Sequence, residues 1–220
     1  MMELGGLAER LERVRQQIAD AGGQHVDILA VTKGHPVEVV EAALAVGLTA
    51  VGENYAQELV SKFSGRSFDV AVHFIGQLQT NKVRQIVDLV DVFETLDRHA
   101  LVVELAKRAP GARVLVQVNT TGEVAKGGCA PTDVESLVTE ATAAGLVVDG
   151  LMTVGPTVGG PEAARDGFRL VRSLCATLDL ATCSMGMSDD FVVAVQEGST
   201  RVRLGSVLFG MRPATSPRVR

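Results

Sequence analysis

Cysteine is scarce in this sequence of 220 residues, and its histidines are not grouped. The three cysteines are widely spaced, odd in number and without a CxxC pattern, which argues against a disulfide framework. Free thiols in a reducing compartment are the simple interpretation. The four histidines show no HExxH or other metal-ligand spacing, so no metal site is predicted.

Long apolar runs are also missing, as is an excess of positive charge. No stretch approaches the uninterrupted apolar length that crosses a bilayer. The first residues, MMEL, contain no basic segment leading into a hydrophobic one, so no signal peptide is expected. A net charge of -5 and a pI near 5.4 give no electrostatic reason to expect a nucleic acid partner. These absences predict a cytoplasmic protein that binds neither membrane nor nucleic acid.

What the sequence does contain is a regular alternation of helical and strand-like segments. Apolar residues recur at steps of three and four from Leu4 to Ile18, which predicts a first helix closed by Gly22 and Gly23. Short runs that are rich in strand-forming residues then alternate with further helical patterns. Eight of these runs are candidate strands, at 28–33, 50–53, 71–75, 92–95, 113–119, 147–154, 182–185 and 202–204.

The spacing of the candidate strands predicts the architecture. Their starts lie 20 to 35 residues apart, and each interval suits one crossover helix between parallel strands. Eight such units predict an α/β fold, a (β/α)8 TIM barrel with an extra N-terminal helix. A doubly wound open sheet is the alternative, because periodicity does not show closure. Without a linker or composition break, residues 1–220 are predicted to form a single domain whose tail frays from about residue 213.

Lys33 follows an apolar run, and chain-turning residues come directly after it. A buried strand therefore delivers a primary amine to the rim where the functional sites of barrels lie. An amine that loses hydration reaches its neutral, nucleophilic form more easily, and such lysines form imines with carbonyl compounds, pyridoxal phosphate included. The alternative is a strand-end lysine whose ammonium group reaches solvent.

Two segments near the end of the chain are candidates for holding a phosphate group. Residues 185–190 lead from the seventh strand into a helix, and residues 203–206 leave the eighth strand through small residues. Barrels commonly bind phosphate in these two loops. Ser188 is equally a candidate helix cap, with Asp189 and Asp190 as first-turn acids that are expected to face away from a phosphate. Arg203 is predicted either to form an ion pair or to lie near a cofactor ring or phosphate.

Other polar residues end neighbouring candidate strands. Asn54 and His73 are uncharged hydrogen-bonding groups that could orient a bound ring or serve the fold alone. Tyr55, the single tyrosine, is expected to pack rather than to catalyse. The segment at Lys126 is predicted to be either a solvated turn or a mobile cover over the site.

Five stretches resemble the pyridoxal phosphate homeostasis protein family, whose fold is similar to the barrel domain of bacterial alanine racemases. They are AVTK at 30–33, GENYAQE at 52–58, HFIGQLQTNK at 73–82, GLM at 150–152, and MGMSDD at 185–190 continuing through STRVRLG to the FG at 209–210. The KGG at 126–128 resembles a loop of the same family. Arg201 is a departure, because the family often has an apolar residue there.

The resemblance implies a set of site residues. Lys33 would carry pyridoxal 5'-phosphate (PLP) as a Schiff base. Ser188, Arg203, Gly205 and Ser206 would surround the phosphate and the ring. Asn54, His73 and Met152 would line the pocket, and no catalytic residue is implied.

The resemblance also implies a function, which is intracellular PLP and vitamin B6 homeostasis without established turnover. Amino acids, and PLP-dependent apoenzymes that receive the cofactor, are further partners in this interpretation, and a monomer is expected. A PLP-dependent, racemase-like enzyme is the alternative. Racemisation needs a second acid/base group, which alanine racemases take from a tyrosine in a further domain that this chain is expected to lack. A third hypothesis is a phosphosugar lyase or aldolase that uses Lys33.

Overall fold

Eight parallel strands form a closed barrel in the structure, a computed structural model that describes residues 6–211. The strands are β1 (Asp27–Val31), β2 (Ala50–Glu53), β3 (Ala71–Phe74), β4 (Val92–Leu96), β5 (Arg113–Val118), β6 (Val147–Thr153), β7 (Thr182–Ser184) and β8 (Arg201–Leu204). Each strand pairs with the next, and β1 also pairs with β8, with Leu29 opposite Arg203. This closure confirms the predicted TIM barrel and excludes the open sheet.

Helices surround the barrel within the described residues. They are α1 (Leu7–Asp20), α2 (Glu38–Ala45), α3 (Ala56–Phe63), α4 (Thr80–Ile86), α5 (His99–Arg108), α6 (Val134–Ala143), α7 (Arg165–Thr177), α8 (Phe191–Gln196) and α9 (Ser206–Phe209). The first helix precedes the barrel, as predicted. The short α9 follows β8 and was not predicted, because four residues carry no helical periodicity.

The core consists of apolar helix stripes packed on the outside of the strands. Phe168, Val171 and Cys175 of α7 are fully buried, and this helix packs against β6 and β7. The predicted stripe of α1 is buried from Leu7 to Ile18, and this helix packs against α8 and α9 near the closure of the barrel. The fold thus buries the face that each pattern marked as apolar.

The main boundary difference lies at Lys33. The strand was predicted to run to this lysine, but β1 ends at Val31. Thr32 still donates its N–H to the carbonyl of Gly52 (3.1 Å). Gly34 then adopts a positive φ of 74°, a conformation that glycine reaches without steric cost. Lys33 therefore lies in the turn that leaves the strand.

Several sequence-based expectations concern features that the described residues cover only in part. Leu4 and the tail from about residue 213 lie outside residues 6–211. The assignment of residues 1–220 to one domain therefore stays a prediction. Over the described range, no helix is both long and apolar enough to cross a membrane. The same residues contain no group of three or more His, Cys, Asp or Glu side chains that could hold a metal ion.

Candidate functional site

Two adjoining cavities open at the carboxyl ends of the strands, with volumes of about 540 and 490 Å³. Lys33 and Arg203 line both cavities, as do Ile75 and Met187. The first cavity extends over the loops that follow β2 and β3, and the second extends over the loops that follow β7 and β8. Lys33 and Arg203 therefore lie where one elongated ligand could occupy both cavities.

Seven of the eight residues that the resemblance implied lie on the walls of these cavities. Lys33 and Arg203 line both cavities, and Asn54 and Met152 line the first cavity. Ser188, Gly205 and Ser206 line the second cavity. His73 lines neither of them, because its side chain is buried in the barrel and contacts Glu94.

Lys33 is held close to the end of β2. Its Nζ donates a hydrogen bond to Oδ1 of Asn54 at 3.3 Å, and the side chain is partly exposed. On one side of it, the hydroxyl of Thr32 donates to Glu53 at 2.6 Å. On the other side, the N–H of Gly34 donates to Oε1 of Glu58 at 2.6 Å. The segment that carries the amine is therefore hydrogen-bonded on both sides of Lys33.

A buried ion cluster lies beneath this segment. Nζ of Lys62 contacts Oε1 of Glu53 at 2.7 Å and Oε1 of Glu58 at 2.6 Å, and it also donates to the carbonyl of Thr32 at 2.8 Å. Burial raises the pKa of Glu53, although the charge of Lys62 opposes this effect. The ammonium group of Lys62 is thus surrounded by acceptors and joins α3 to the turn of the lysine.

The second cavity contains small and hydroxyl-bearing residues. A Cβ atom on Gly205 would lie 3.2 Å from the carbonyl oxygen of Val31, so the chain passes close to β1 here. The side-chain oxygen of Ser188 accepts a hydrogen bond from the N–H of Val207 at 3.4 Å, and Ser206 begins α9. Two neighbouring loops therefore place the hydroxyl groups of Ser188 and Ser206 on the wall of the second cavity.

Asp189 and Asp190 are adjacent in the sequence but differ in their surroundings. Asp190 is buried and accepts the N–H of Met187 at 2.6 Å, so it does not line either cavity. Asp189 is among the residues that line the second cavity, and the expectation that its carboxylate faces away from a phosphate stays a prediction. Ser188 is not a helix cap, since α8 begins at Phe191 with Asp190 before it.

Arg203 is anchored by buried acceptors of the barrel interior. Its Nη1 donates to the carbonyl and the hydroxyl of Ser184, at 2.7 and 2.9 Å, and its Nη2 donates to the carbonyl of Thr153 at 2.6 Å. Burial lowers its pKa, but an arginine remains charged at physiological pH. Its guanidinium group is therefore a fixed positive charge on the wall that the two cavities share.

Glu94 provides the negative charge under this wall. Its carboxylate contacts Nδ1 of His73 at 2.7 Å, accepts the hydroxyl of Ser184 at 2.7 Å and lies 3.4 Å from Nη1 of Arg201. Burial raises the pKa of Glu94, but the hydrogen bond and charge of His73, with the charges of Arg203 and Arg201, outweigh it and lower the pKa to about 2. His73 thus belongs to an interior network that supports Arg203.

Sequence reasoning missed Glu94 and the pair of Glu58 and Lys62. The signal for Glu94 was a carboxylate within the apolar segment VFETL, because an unpaired charge is costly inside a core. The signal for the other two was an acid and a base four residues apart in a helix. Neither pattern identifies the distant residues that these side chains contact, because only the packing of the tertiary structure decides those contacts.

The loop that contains Lys126 forms one edge of the first cavity. Gln77 donates to the carbonyl of Ala125 at 2.9 Å, and Gln117 donates to the carbonyl of Lys126 at 2.8 Å. The ammonium group of Lys126 contacts Glu123 and the carbonyl of Gly155. The loop is therefore tied to the barrel rim by side chains of its neighbours.

Known proteins share both the sequence and the shape of this chain. The family model described as "Alanine racemase, N-terminal domain" matches residues 2–213. The pyridoxal phosphate homeostasis protein of Aquifex aeolicus is 39% identical, with 93% of this chain and 97% of that protein covered. The protein of the same name from Pseudomonas aeruginosa is 36% identical, with 96% and 98% covered. The chain belongs to the pyridoxal phosphate homeostasis protein family.

A solved structure of a family member agrees with this assignment. The structure of PipY from Synechococcus elongatus with PLP bound superposes with a TM-score of 0.83 at 30% identity. The alignment covers 93% of this chain and 100% of that one. The whole of that chain is therefore similar in shape to this one.

The charge network predicts a specific acid dependence of stability. The pKa of Glu94 is lowered from 4.5 to about 2, so its carboxylate stabilises the fold above about pH 4.5, and this contribution is lost as the pH falls towards 2. We expect Glu94→Gln to lower the free energy of unfolding by about 3 kcal/mol at neutral pH. The gap to the wild type should close between about pH 4.5 and 2, measured by urea denaturation.

Glu135→Gln is the control for this measurement, because Glu135 is exposed on α6. It should change stability little at any pH. A gap for Glu94→Gln that stays constant as the pH falls would mean that Glu94 does not act through its ionised form.

Proposed function

We propose that this protein binds PLP as a Schiff base on Lys33 and acts in intracellular PLP and vitamin B6 homeostasis. One observation carries the proposal: Lys33 lines both cavities, and the second of them ends in the hydroxyl-bearing recess of Ser188, Gly205 and Ser206. An amine and an anion-binding recess at one rim suit a ligand with an aldehyde and a phosphate. The names of the relatives, and the PLP in the structure of PipY, support the same ligand.

The chemistry of the wall residues fits this cofactor. Pyridoxal phosphate supplies an aldehyde that condenses reversibly with a primary amine. Ser188 and Ser206 offer hydroxyl donors for the phosphate, and Gly205 allows the loop between them to pass close to β1. Arg203 supplies a fixed positive charge for the ring or the phosphate. Asn54 and Met152 contribute a polar and an apolar contact to the ring.

The position of Lys33 suits exchange of the cofactor rather than protected chemistry. The side chain is partly exposed at a rim that is open to solvent. An enzyme that stabilises a carbanion benefits from a closed and dry site, whereas a carrier must release what it binds. We therefore infer a monomeric carrier in the cytoplasm, without catalytic turnover, that passes PLP to PLP-dependent apoenzymes and has amino acids as further partners.

Lys33→Ala tests the covalent link. The wild type incubated with PLP should develop a visible imine absorption band, and borohydride should fix one pyridoxyl group on the peptide that contains Lys33. The variant should lose both signals, because among residues 6–211 Lys33 is the lysine that lines both cavities. Lys107→Ala, at an exposed site on α5, should retain both. An unchanged spectrum in Lys33→Ala would remove this lysine from the role.

Ser206→Ala tests the assignment of the phosphate end. We expect the variant to bind PLP roughly 10-fold more weakly, since a hydrogen bond to a charged group is lost. Pyridoxal lacks the phosphate, so its binding should not change. Titration of both vitamers by absorbance gives the comparison, with the exposed Ser136→Ala as control. Equal weakening for both vitamers would place the phosphate elsewhere.

A racemase-like enzyme is the second candidate, and one observation favours it. Tyr55 lines the same cavity as Lys33, where it could act as a second acid/base group. If so, the PLP-loaded protein should exchange the α-hydrogen of amino acids with deuterated water, and Tyr55→Phe should stop the exchange. The carrier hypothesis expects no exchange with a broad panel of amino acids, measured by proton NMR.

A further inference from the structure

The buried cluster of Glu53, Glu58 and Lys62 contacts the chain on both sides of Lys33. The carbonyl of Thr32 accepts from Lys62 at 2.8 Å, and the N–H of Gly34 donates to Glu58 at 2.6 Å. The residues immediately before and after the reactive lysine are therefore fixed to one helix, α3. This arrangement has no counterpart in the binding assignments above, in which none of the three cluster residues touches the ligand.

The cluster leaves Lys62 no spare hydrogen-bonding capacity. A protonated lysine has three hydrogens to donate, and Lys62 has three acceptors within 2.8 Å, on Thr32, Glu53 and Glu58. Its side chain is only 6% exposed. Lys62 is therefore not a second amine that could react with the aldehyde of PLP, although it contacts the residue that precedes Lys33. Its hydrogen bonds serve to hold the surrounding chain.

The contacts of Glu58 are also more than an ordinary helical ion pair. In a pair with the same spacing on α5, Glu104 accepts a hydrogen bond from Arg108 of the same helix. Glu58, in contrast, shares one oxygen between Lys62 and the N–H of Gly34, 24 residues earlier in the chain. An ion pair that stabilised only α3 would not require the hydrogen bond from the N–H of Gly34.

The turn at Gly34 explains why the lysine needs such support. Gly34 has a φ of 74°, and a glycine by itself leaves the direction of the chain poorly defined. Lys33 carries its amine on a long flexible side chain, so the position of Nζ depends on where this turn places the backbone. Reaction rates fall steeply when an attacking group is displaced by even about 1 Å.

We propose that Glu58 and Lys62, supported by Glu53, are positioning residues that set the backbone of Lys33 for attack by its neutral Nζ on the aldehyde carbon of PLP. In this condensation the C=N bond replaces the C=O bond, and the aldehyde oxygen leaves as water with the two amine hydrogens. This inference rests on the proposed function, since Lys33 must be the residue that forms the imine. The cluster acts on the rate at which the covalent bond forms. It does not act on the recess that holds the phosphate.

Glu58→Ala separates these two effects. Two probes are used on the full-length protein after removal of bound cofactor, PLP itself and 4'-deoxypyridoxine 5'-phosphate, which has the phosphate but no aldehyde. We expect the variant to form the imine band roughly 10-fold more slowly in stopped-flow absorbance, because the turn at Gly34 loses its anchor. Its affinity for the deoxy analogue should equal that of the wild type.

Conservative and charge-balanced variants complete the test. Glu58→Gln keeps an oxygen that accepts the N–H of Gly34, so it should recover most of the rate that Glu58→Ala loses. Lys62→Met combined with Glu53→Gln removes one positive and one negative charge together and leaves the partly exposed Glu58 with its hydrogen bond from Gly34. This variant loses the hydrogen bond to the carbonyl of Thr32, so it should form the imine more slowly than the wild type. Glu104→Gln, in the exposed pair of α5, is the matched control and should behave as the wild type.

The outcomes distinguish the inference from the function on which it rests. A wild type that forms no imine would contradict the proposed function. A wild type that forms it, with Glu58→Ala reacting at the same rate, would overturn the positioning role alone. Parallel losses in imine formation and in affinity for the deoxy analogue would also overturn it, because they indicate a general effect on the fold. If Glu58→Ala does not fold, the double variant Lys62→Met with Glu53→Gln takes its place. Imine formation at the wild-type rate in that variant would overturn the positioning role, and slower formation would support it.

Discussion

The pairing of β1 with β8 is the constraint on which the candidate site depends. It sets Leu29 opposite Arg203 and Ala30 opposite Leu204, although these partners are more than 170 positions apart in the chain. The chain leaves β1 at Lys33 and leaves β8 at Gly205, so closure brings the amine and the hydroxyl-bearing recess to one rim. An open sheet with the same strands would place them on opposite edges. The cavities are thus a consequence of closure rather than of any local motif.

Buried charge supports this rim from two directions. Glu94 lies beneath Arg203, and Glu53 with Lys62 lies beneath Lys33. Removing such groups from water is costly, and hydrophobic side chains of similar size would often stabilise a fold as well. Each cluster, however, fixes a group that faces a cavity, and directional hydrogen bonds do this better than apolar contacts do. The buried charges are therefore best explained by the two residues that they position, Arg203 and Lys33.

The agreement between sequence and structure differs from one residue type to another. Apolar spacing predicted the eight strands and the first helix, because each strand and each helix of a parallel barrel buries apolar residues at a spacing typical of its own geometry. The end of β1 was placed two residues too late, since the turn at Gly34 has no apolar signature. His73 lies in β3, one residue before its end, and turns into the barrel towards Glu94, whereas Asn54 follows β2 and lines a cavity. The position along a strand alone does not reveal these directions. Asp189 and Asp190 are adjacent and alike, but Asp189 lines the second cavity, while Asp190 is buried and accepts the N–H of Met187.

The sequence by itself determined the (β/α)8 pattern, the membership of a family and the lysine that follows the apolar run of the first strand. Hydrophobic periodicity and short motifs are local properties, so they can be read along the chain. The tertiary structure alone decided which polar groups meet: Lys33 with Asn54, Glu94 with His73 and Ser184, and Glu58 with the N–H of Gly34. The physical reason is that each of these contacts joins residues 21 or more positions apart, and their geometry follows from barrel closure and helix packing.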